Sequence, residues 1–115
     1  MTEKQKKALV EEARTVFAQK AAKYAAQIGV TYERIAIRDQ KTRRGSCSSK
    51  GNLNFNFRLV MAPEEVLDYV VVHELCHRKQ MNHSKAFWAE VEAILPDYRE
   101  RKLWLKENGW RLMKK

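Results

Sequence analysis

The sequence predicts an α+β fold, with a long N-terminal helix, a small and mainly antiparallel sheet, and then three helices. Two changes of pattern predict it. Apolar residues recur every three or four positions over residues 3–28, alternate with polar residues over residues 34–38 and 52–57, and return to helical spacing after Pro63. The chain has 115 residues, of which 44% are apolar, so a single domain over residues 1–115 is expected.

The first helix is predicted over residues 3–28, where seven alanines raise the helix propensity. Gly29 follows, and glycine often ends a helix because it tolerates a left-handed backbone. The apolar stripe of this helix comprises Leu9, Ala13, Val16, Phe17, Ala21, Tyr24 and Ile28. A long amphipathic helix is therefore expected.

The strands of the predicted sheet come before and after a polar connection, residues 39–46. The segment 34–38 alternates apolar and polar residues, as a half-buried strand does. The residues Ser-Lys-Gly-Asn at 49–52 predict a turn, and Leu53, Phe55 and Phe57 then alternate with asparagines. A short hairpin or meander is therefore expected, with mainly antiparallel pairing.

Three helices are predicted after the sheet. Pro63 suits a first helical position, and this helix is expected to run to about Met81–Asn82. Ser84 suits the cap of the next helix, and Pro96–Asp97 suit the start of the last one. The apolar residues at helical spacing in the middle helix, which we expect in the core, are Phe87, Trp88, Val91, Ile94 and Leu95.

Basic residues exceed acidic ones, and the formal net charge is +9. Residues 40–60 hold five basic residues and no acid, and residues 99–115 hold seven basic and two acidic residues. Such segments are usually solvated, but they also favour an anionic ligand such as a nucleotide or nucleic acid. The first residues lack the apolar run of a signal peptide, and no segment is apolar enough to enter a membrane. A cytoplasmic location is expected, with Cys47 and Cys76 as free thiols.

All three histidines fall within eleven positions, at His73, His77 and His83. On a helix, His73 and His77 lie about 40° apart and one turn from each other, so both can bind one ion. Glu74 lies about 100° from His73, and its side chain can reach a water on that ion as a general base. A catalytic zinc needs a third protein ligand. His83 is the candidate, provided that the chain turns at residues 80–82.

The two cysteines are not expected to bind this zinc. Cys76 lies about 80° from the direction that His73 and His77 share, so its short side chain points away. Cys47 lies on a strand or loop and is expected to be a buried or cleft-lining thiol. A structural zinc stays an alternative, because such a site closes its fourth position with Cys or His.

The segment "RRGSCSSKGNLNFNF", followed by "HELCH" and "HSKAFW", resembles the YgjP-like metallopeptidase domain over about residues 35–109. It is more distantly similar to WLM and SprT-like (Spartan) zinc peptidases. The resemblance implies a zincin-like fold, and it places His73, His77 and His83 at the zinc-ligand positions and Glu74 at the catalytic position. Longer members have an additional N-terminal segment, and Arg44 stands where the family usually has Trp. Both departures concern substrate contacts.

The predicted activity is zinc-dependent hydrolysis of peptide bonds, with Zn2+ as cofactor and a peptide or protein as substrate. Two alternatives stay open: a metal-dependent nucleotide phosphohydrolase, and a nucleic-acid-binding module with a structural zinc. The residues that could line the cleft are Asn54, Asn56, Arg43 and Arg44. The carboxylates that could accept the outer N–H groups of the histidines are Asp68, Glu90, Glu92 and Asp97.

Overall fold

The structure is a computed structural model that describes residues 1–114. Its elements are α1 (Glu3–Ile28), β1 (Arg34–Arg38), β2 (Gly45–Cys47), β3 (Asn52–Asn56), a 3-10 helix (Phe57–Met61), α2 (Glu64–Cys76), α3 (Lys85–Ile94) and α4 (Tyr98–Met113). The predicted α+β class and the order of elements are confirmed.

Helix α1 has the predicted bounds because local contacts cap both of its ends. The Thr2 side chain accepts a hydrogen bond from the Gln5 backbone N–H, and the Gln5 side chain accepts one from the Thr2 backbone N–H. Gly29 has a φ of 83° and donates its N–H to the Ala25 carbonyl. The Phe17 ring stacks on Phe55 of β3 at 4.5 Å between centroids. The helix therefore covers the sheet.

The sheet has the strand order β1-β3-β2. Strands β2 and β3 form an antiparallel hairpin, in which Gly45 lies opposite Phe55, so the predicted hairpin is confirmed. Strand β1 pairs with β3 in parallel, with Arg34 opposite Asn52. The prediction of a mainly antiparallel sheet is wrong, because the longer of the two pairings is parallel. Leu53 and Phe55 are fully buried, so β3 takes the centre and short β2 takes an edge.

The connection between β1 and β2 is held by Asn56, which is buried at the end of β3. Its side-chain amide donates to the carbonyl of Gln40 and, at 3.0 Å, to the carbonyl of Arg43. Its backbone N–H donates to the Arg44 carbonyl at 2.8 Å. These bonds fix the backbone just before β2.

Helix α2 is buried along most of its length and carries the HELCH motif. It begins at Glu64, with Pro63 as the residue before it, and ends at Cys76. The prediction that it runs to Met81–Asn82 is wrong. After Cys76 the sequence offers charged and polar residues with no apolar face to bury, and tight turn hydrogen bonds follow, such as Arg78 N–H to the Leu75 carbonyl at 2.9 Å.

The two last helices begin close to the predicted positions. The Ser84 hydroxyl accepts from the Phe87 backbone N–H at the start of α3, and Asp97 precedes α4. Phe87 is fully buried, as predicted for the core, and Trp88 is half-buried and packs against it. None of the helices in residues 1–114 combines the length and the apolarity that crossing a bilayer requires.

Candidate metal centre

The three histidines meet at one point of the structure. His73 lies in the last turn of α2, His77 follows the end of that helix, and His83 comes just before α3. Their potential ligand atoms lie within 4.8 Å of one another, and the Nε2 atoms of His73 and His83 are 3.2 Å apart. Two nitrogens bound to one tetrahedral zinc are about 3.4 Å apart. The arrangement therefore fits a single ion.

The chain brings His83 back to the other two histidines by a turn at residues 77–80. This turn begins earlier than predicted because α2 ends at Cys76. The Gln80 carbonyl lies 3.0 Å from His77 Nδ1, so that nitrogen carries a proton and donates it. The Nε2 atom of His77 then keeps its lone pair for a metal.

The Nδ1 atom of His73 has a partner that the sequence analysis missed. The Tyr69 hydroxyl lies 3.3 Å from it, one helical turn earlier in α2. The spacing of four residues, about one helical turn, is the sequence signal for this contact, whereas the side chains named from the sequence as possible partners are all carboxylates. The four predicted carboxylates form other ion pairs instead: Asp68 with Lys20, Glu90 with Lys79, Glu92 with Arg99, and Asp97 with Arg101.

Aromatic side chains of α3 support the three imidazoles. The Phe87 ring stacks on His77 at 4.5 Å and meets His73 and His83 edge-on at 5.1 and 5.0 Å. The Trp88 ring lies nearly parallel to His83 at 5.9 Å. This packing limits the rotation of the histidine rings, which favours a fixed set of ligands.

Glu74 is 7% exposed and lies beside the histidines. A Cβ placed on Gly45 would lie 3.4 Å from Oε2 of Glu74, so the strand backbone packs directly against the carboxyl group. Burial raises the pKa of Glu74 to about 7, against a smaller lowering by Arg43. Burial and the charges of the other two histidines lower the pKa of His73 to about 3. His73 is thus neutral and able to bind a metal.

Two adjoining clefts of about 250 and 330 Å³ open at Glu74. Both are lined by Arg43, Gly45, His73 and Glu74. The first cleft also reaches Arg44, Tyr69 and Leu105, and the second reaches Ser46, Cys47, His77, Met81 and His83. The carboxylate therefore faces space that a substrate can enter from the β2 edge.

The four polar residues that the sequence offers as possible cleft-lining residues divide into two groups. Arg43 and Arg44 do line it. Asn56 is buried under the β1–β2 connection, and Asn54 accepts from Arg38 at 2.9 Å and donates to Ser46 at 3.1 Å. Both asparagines bond within the sheet and its connection, and neither lines the two clefts.

Neither cysteine joins the group of potential ligands in the described chain. Cys76 is fully buried in α2, and burial raises the pKa of its thiol to about 12. Cys47 lines the second cleft, but its thiol donates to the Ser48 carbonyl at 3.4 Å. In the described residues, the group of potential ligand atoms thus consists of imidazole nitrogens.

Comparison with known protein families identifies the family of this chain. The model of the YgjP-like metallopeptidase domain matches residues 1–108. The chain belongs to this family. No curated protein matches the sequence. The predicted resemblance is thus confirmed over nearly the whole chain, and the family implies a metal, typically zinc.

Two solved structures share the fold. The crystal structure of the metallopeptidase zymogen of Pyrococcus abyssi abylysin has 26% identity and a TM-score of 0.69, covering 78% of this chain and 93% of that one. The crystal structure of the metallopeptidase zymogen of Methanocaldococcus jannaschii jannalysin has 23% identity and a TM-score of 0.70, covering 80% of this chain and 95% of that one. Family and fold together support a peptidase of the zincin-like class.

Proposed function

We propose that this YgjP-like protein is a zinc peptidase in which His73, His77 and His83 hold the ion and Glu74 is the general base. The observation that carries the proposal is the convergence of three imidazoles, with ligand atoms within 4.8 Å, beside a carboxylate in the floor of a cleft. Three protein ligands and an open fourth position are typical of catalytic zinc.

The residues present suit zinc in their chemistry as well as in their spacing. Imidazole nitrogen is a preferred zinc ligand. His73 and His77 each have an oxygen partner for the outer nitrogen, from Tyr69 and the Gln80 carbonyl. Such partners orient the ring and leave the other nitrogen for the metal.

Glu74 is positioned for proton transfer in peptide hydrolysis. A zinc ion held by the three histidines would act as a Lewis acid, which lowers the pKa of water and polarises a carbonyl. Glu74 accepts a proton from the attacking water and returns it to the nitrogen of the departing amine. Its place between Gly45 and the histidines holds it at the junction of the two clefts.

An extended peptide has a natural docking edge in β2. This strand pairs with β3 on one side only, and Gly45, Ser46 and Cys47 all line the second cleft. Backbone pairing of a substrate along β2 would lead its chain past Glu74. The proposed substrate is therefore an extended segment of a peptide or protein.

A nucleotide phosphohydrolase is the second candidate, and one observation favours it. Arg43 and Arg44 line the cleft at Glu74, and cations stabilise the charge of a phosphoryl group during transfer. A nucleic-acid module with a structural zinc is less well supported, since neither cysteine stands among the potential ligands in residues 1–114.

The test compares the zinc-loaded protein with the Glu74→Gln variant on a peptide library and on a panel of nucleoside triphosphates. We expect peptide cleavage by the wild type and none by the variant, although both hold one zinc, because the amide keeps the shape and removes the base. Hydrolysis of nucleotides alone would favour the second candidate. Full activity of Glu74→Gln on peptides would contradict the mechanism.

A further inference from the structure

A cationic side chain without an ion-pair partner among the described residues lies at the candidate site. Arg43 lines both clefts, and its guanidinium has no hydrogen-bond or ion-pair partner among residues 1–114. Its backbone is held in place because its carbonyl accepts a hydrogen bond from Asn56 at 3.0 Å. A fixed backbone carrying an unpaired side chain at a cleft is an arrangement suited to ligand binding.

Two further cations flank the same site. Arg44 donates to the Leu105 carbonyl at 3.4 Å and lies against Gly109 of α4, so its partner is neutral. The Lys102 ammonium lies 4.3 Å from the Trp88 ring centre, and the Trp88 ring packs beside His83 at 5.9 Å. Arg44 therefore adds a second cation to the first cleft, and Lys102 lies on the Trp88 side of the histidines.

The carboxylates of neighbouring elements are paired elsewhere. Asp39 pairs with Lys6 and Arg58, Asp68 with Lys20, Glu90 with Lys79, Glu92 with Arg99, and Asp97 with Arg101. Glu74 is the acidic side chain in both clefts, and a bound metal ion would add further positive charge. An anionic group of the substrate would neutralise part of this positive charge.

We infer that Arg43 binds an oxyanion of the substrate, a carboxylate or a phosphate, close to the bond that is cleaved. A guanidinium presents a planar pair of donors that matches both groups. The form of this inference for a peptide substrate rests on the proposed function. The preferred peptide carries Glu or Asp within one or two residues of the scissile bond, since one residue spans about 3.5 Å.

Binding separates this inference from the hydrolysis itself. The protein is studied as zinc-loaded Glu74→Gln, alone and with a second change, Arg43→Ala or Lys41→Ala. Lys41 lines neither cleft. Because Lys41→Ala removes one positive charge, as Arg43→Ala does, it is the matched control. The probes are two peptides that differ only by Glu or Gln beside the bond, and inorganic pyrophosphate, each followed by calorimetry.

We expect the Glu peptide to bind about tenfold more tightly than the Gln peptide, because the charged hydrogen bond is strong although the site is open to solvent. Arg43→Ala should abolish this preference, Arg43→Lys should restore part of it, and Lys41→Ala should retain it. Circular dichroism checks folding, which should not change because the Arg43 side chain forms no hydrogen bond or ion pair within residues 1–114.

The remaining outcomes distinguish the two proposals. If neither peptide binds but Arg43→Ala weakens pyrophosphate binding about tenfold and Lys41→Ala does not, Arg43 recognises phosphate and the peptidase proposal fails. If Arg43→Ala changes neither the Glu preference nor pyrophosphate binding, the inference about Arg43 is wrong, whether or not peptides are cleaved. Absence of binding by all probes also overturns it.

Discussion

Replacing Tyr69 by phenylalanine should weaken zinc binding about five- to thirtyfold. The Nε2 atom of His73 faces the other imidazoles, so its Nδ1 atom must donate its proton to the Tyr69 hydroxyl, 3.3 Å away. Removing that acceptor leaves a half-buried N–H without a partner, which costs about 1–3 kcal/mol. Because 3.3 Å is long for a hydrogen bond, we expect about 1–2 kcal/mol, and about 1.4 kcal/mol corresponds to a tenfold change in Kd.

The assay is competition for zinc against a chromophoric chelator at fixed pH. Tyr98→Phe is the matched control, since Tyr98 is also buried but its ring stacks on Trp88 at 5.2 Å. Urea denaturation of the metal-free variants separates loss of overall stability from loss of metal affinity. Burial raises the pKa of Tyr69 to about 12, so its hydroxyl stays protonated under the assay conditions. Equal zinc affinity of the wild type and Tyr69→Phe would refute this reasoning.

Three more predictions concern metal binding and stability. His83→Ala should lose zinc on dialysis, with affinity reduced more than about a hundredfold, because a direct ligand matters more than its partners; retention of one zinc would place the third ligand elsewhere. Cys47→Ser and Cys76→Ala should each retain one zinc, and the cobalt-loaded wild type should lack an intense thiolate absorption band. If that band appears in the wild type and disappears in either variant, a sulfur ligand is identified. Asp39→Asn should cost about 1 kcal/mol at pH 7 and less at pH 3. Hydrogen bonds from Lys6, and then from Arg58, lower the pKa of Asp39. The stabilisation that its carboxylate provides is therefore present above about pH 4 and is lost as the pH falls through the folded-state pKa. Equal losses of stability at the two pH values, measured by urea denaturation, would contradict this prediction.

Features that depend on neighbouring residues could be predicted from the sequence. Gly29 and Ser84 mark helix ends through contacts within a few residues, and the bounds of α1 and the start of α3 agree with those signals. The convergence of the three histidines could be predicted because one ion requires it and a turn was available. Their geometry agrees with that expectation, while their role as ligands stays a prediction.

Features that depend on distant contacts could not be predicted. Parallel pairing of β1 with β3 follows from burying Leu53 and Phe55 at the centre of the sheet, and no spacing within either strand encodes it. The early end of α2 is accompanied by bonds from the Arg78 side chain to the carbonyls of Thr31 and Ser49, which lie far away in sequence. The place of Arg43 beside Glu74 likewise depends on the fold.

X-ray absorption spectroscopy of the zinc-loaded protein tests most directly whether three histidines hold a zinc with an open position. We expect one zinc per chain, with three imidazole nitrogens and one oxygen at about 2.0–2.1 Å, and the same spectrum for Glu74→Gln. Loss of one imidazole in His83→Ala should accompany the loss of affinity. A sulfur ligand at about 2.3 Å, or fewer than three imidazoles in the wild type, would contradict the proposed catalytic site.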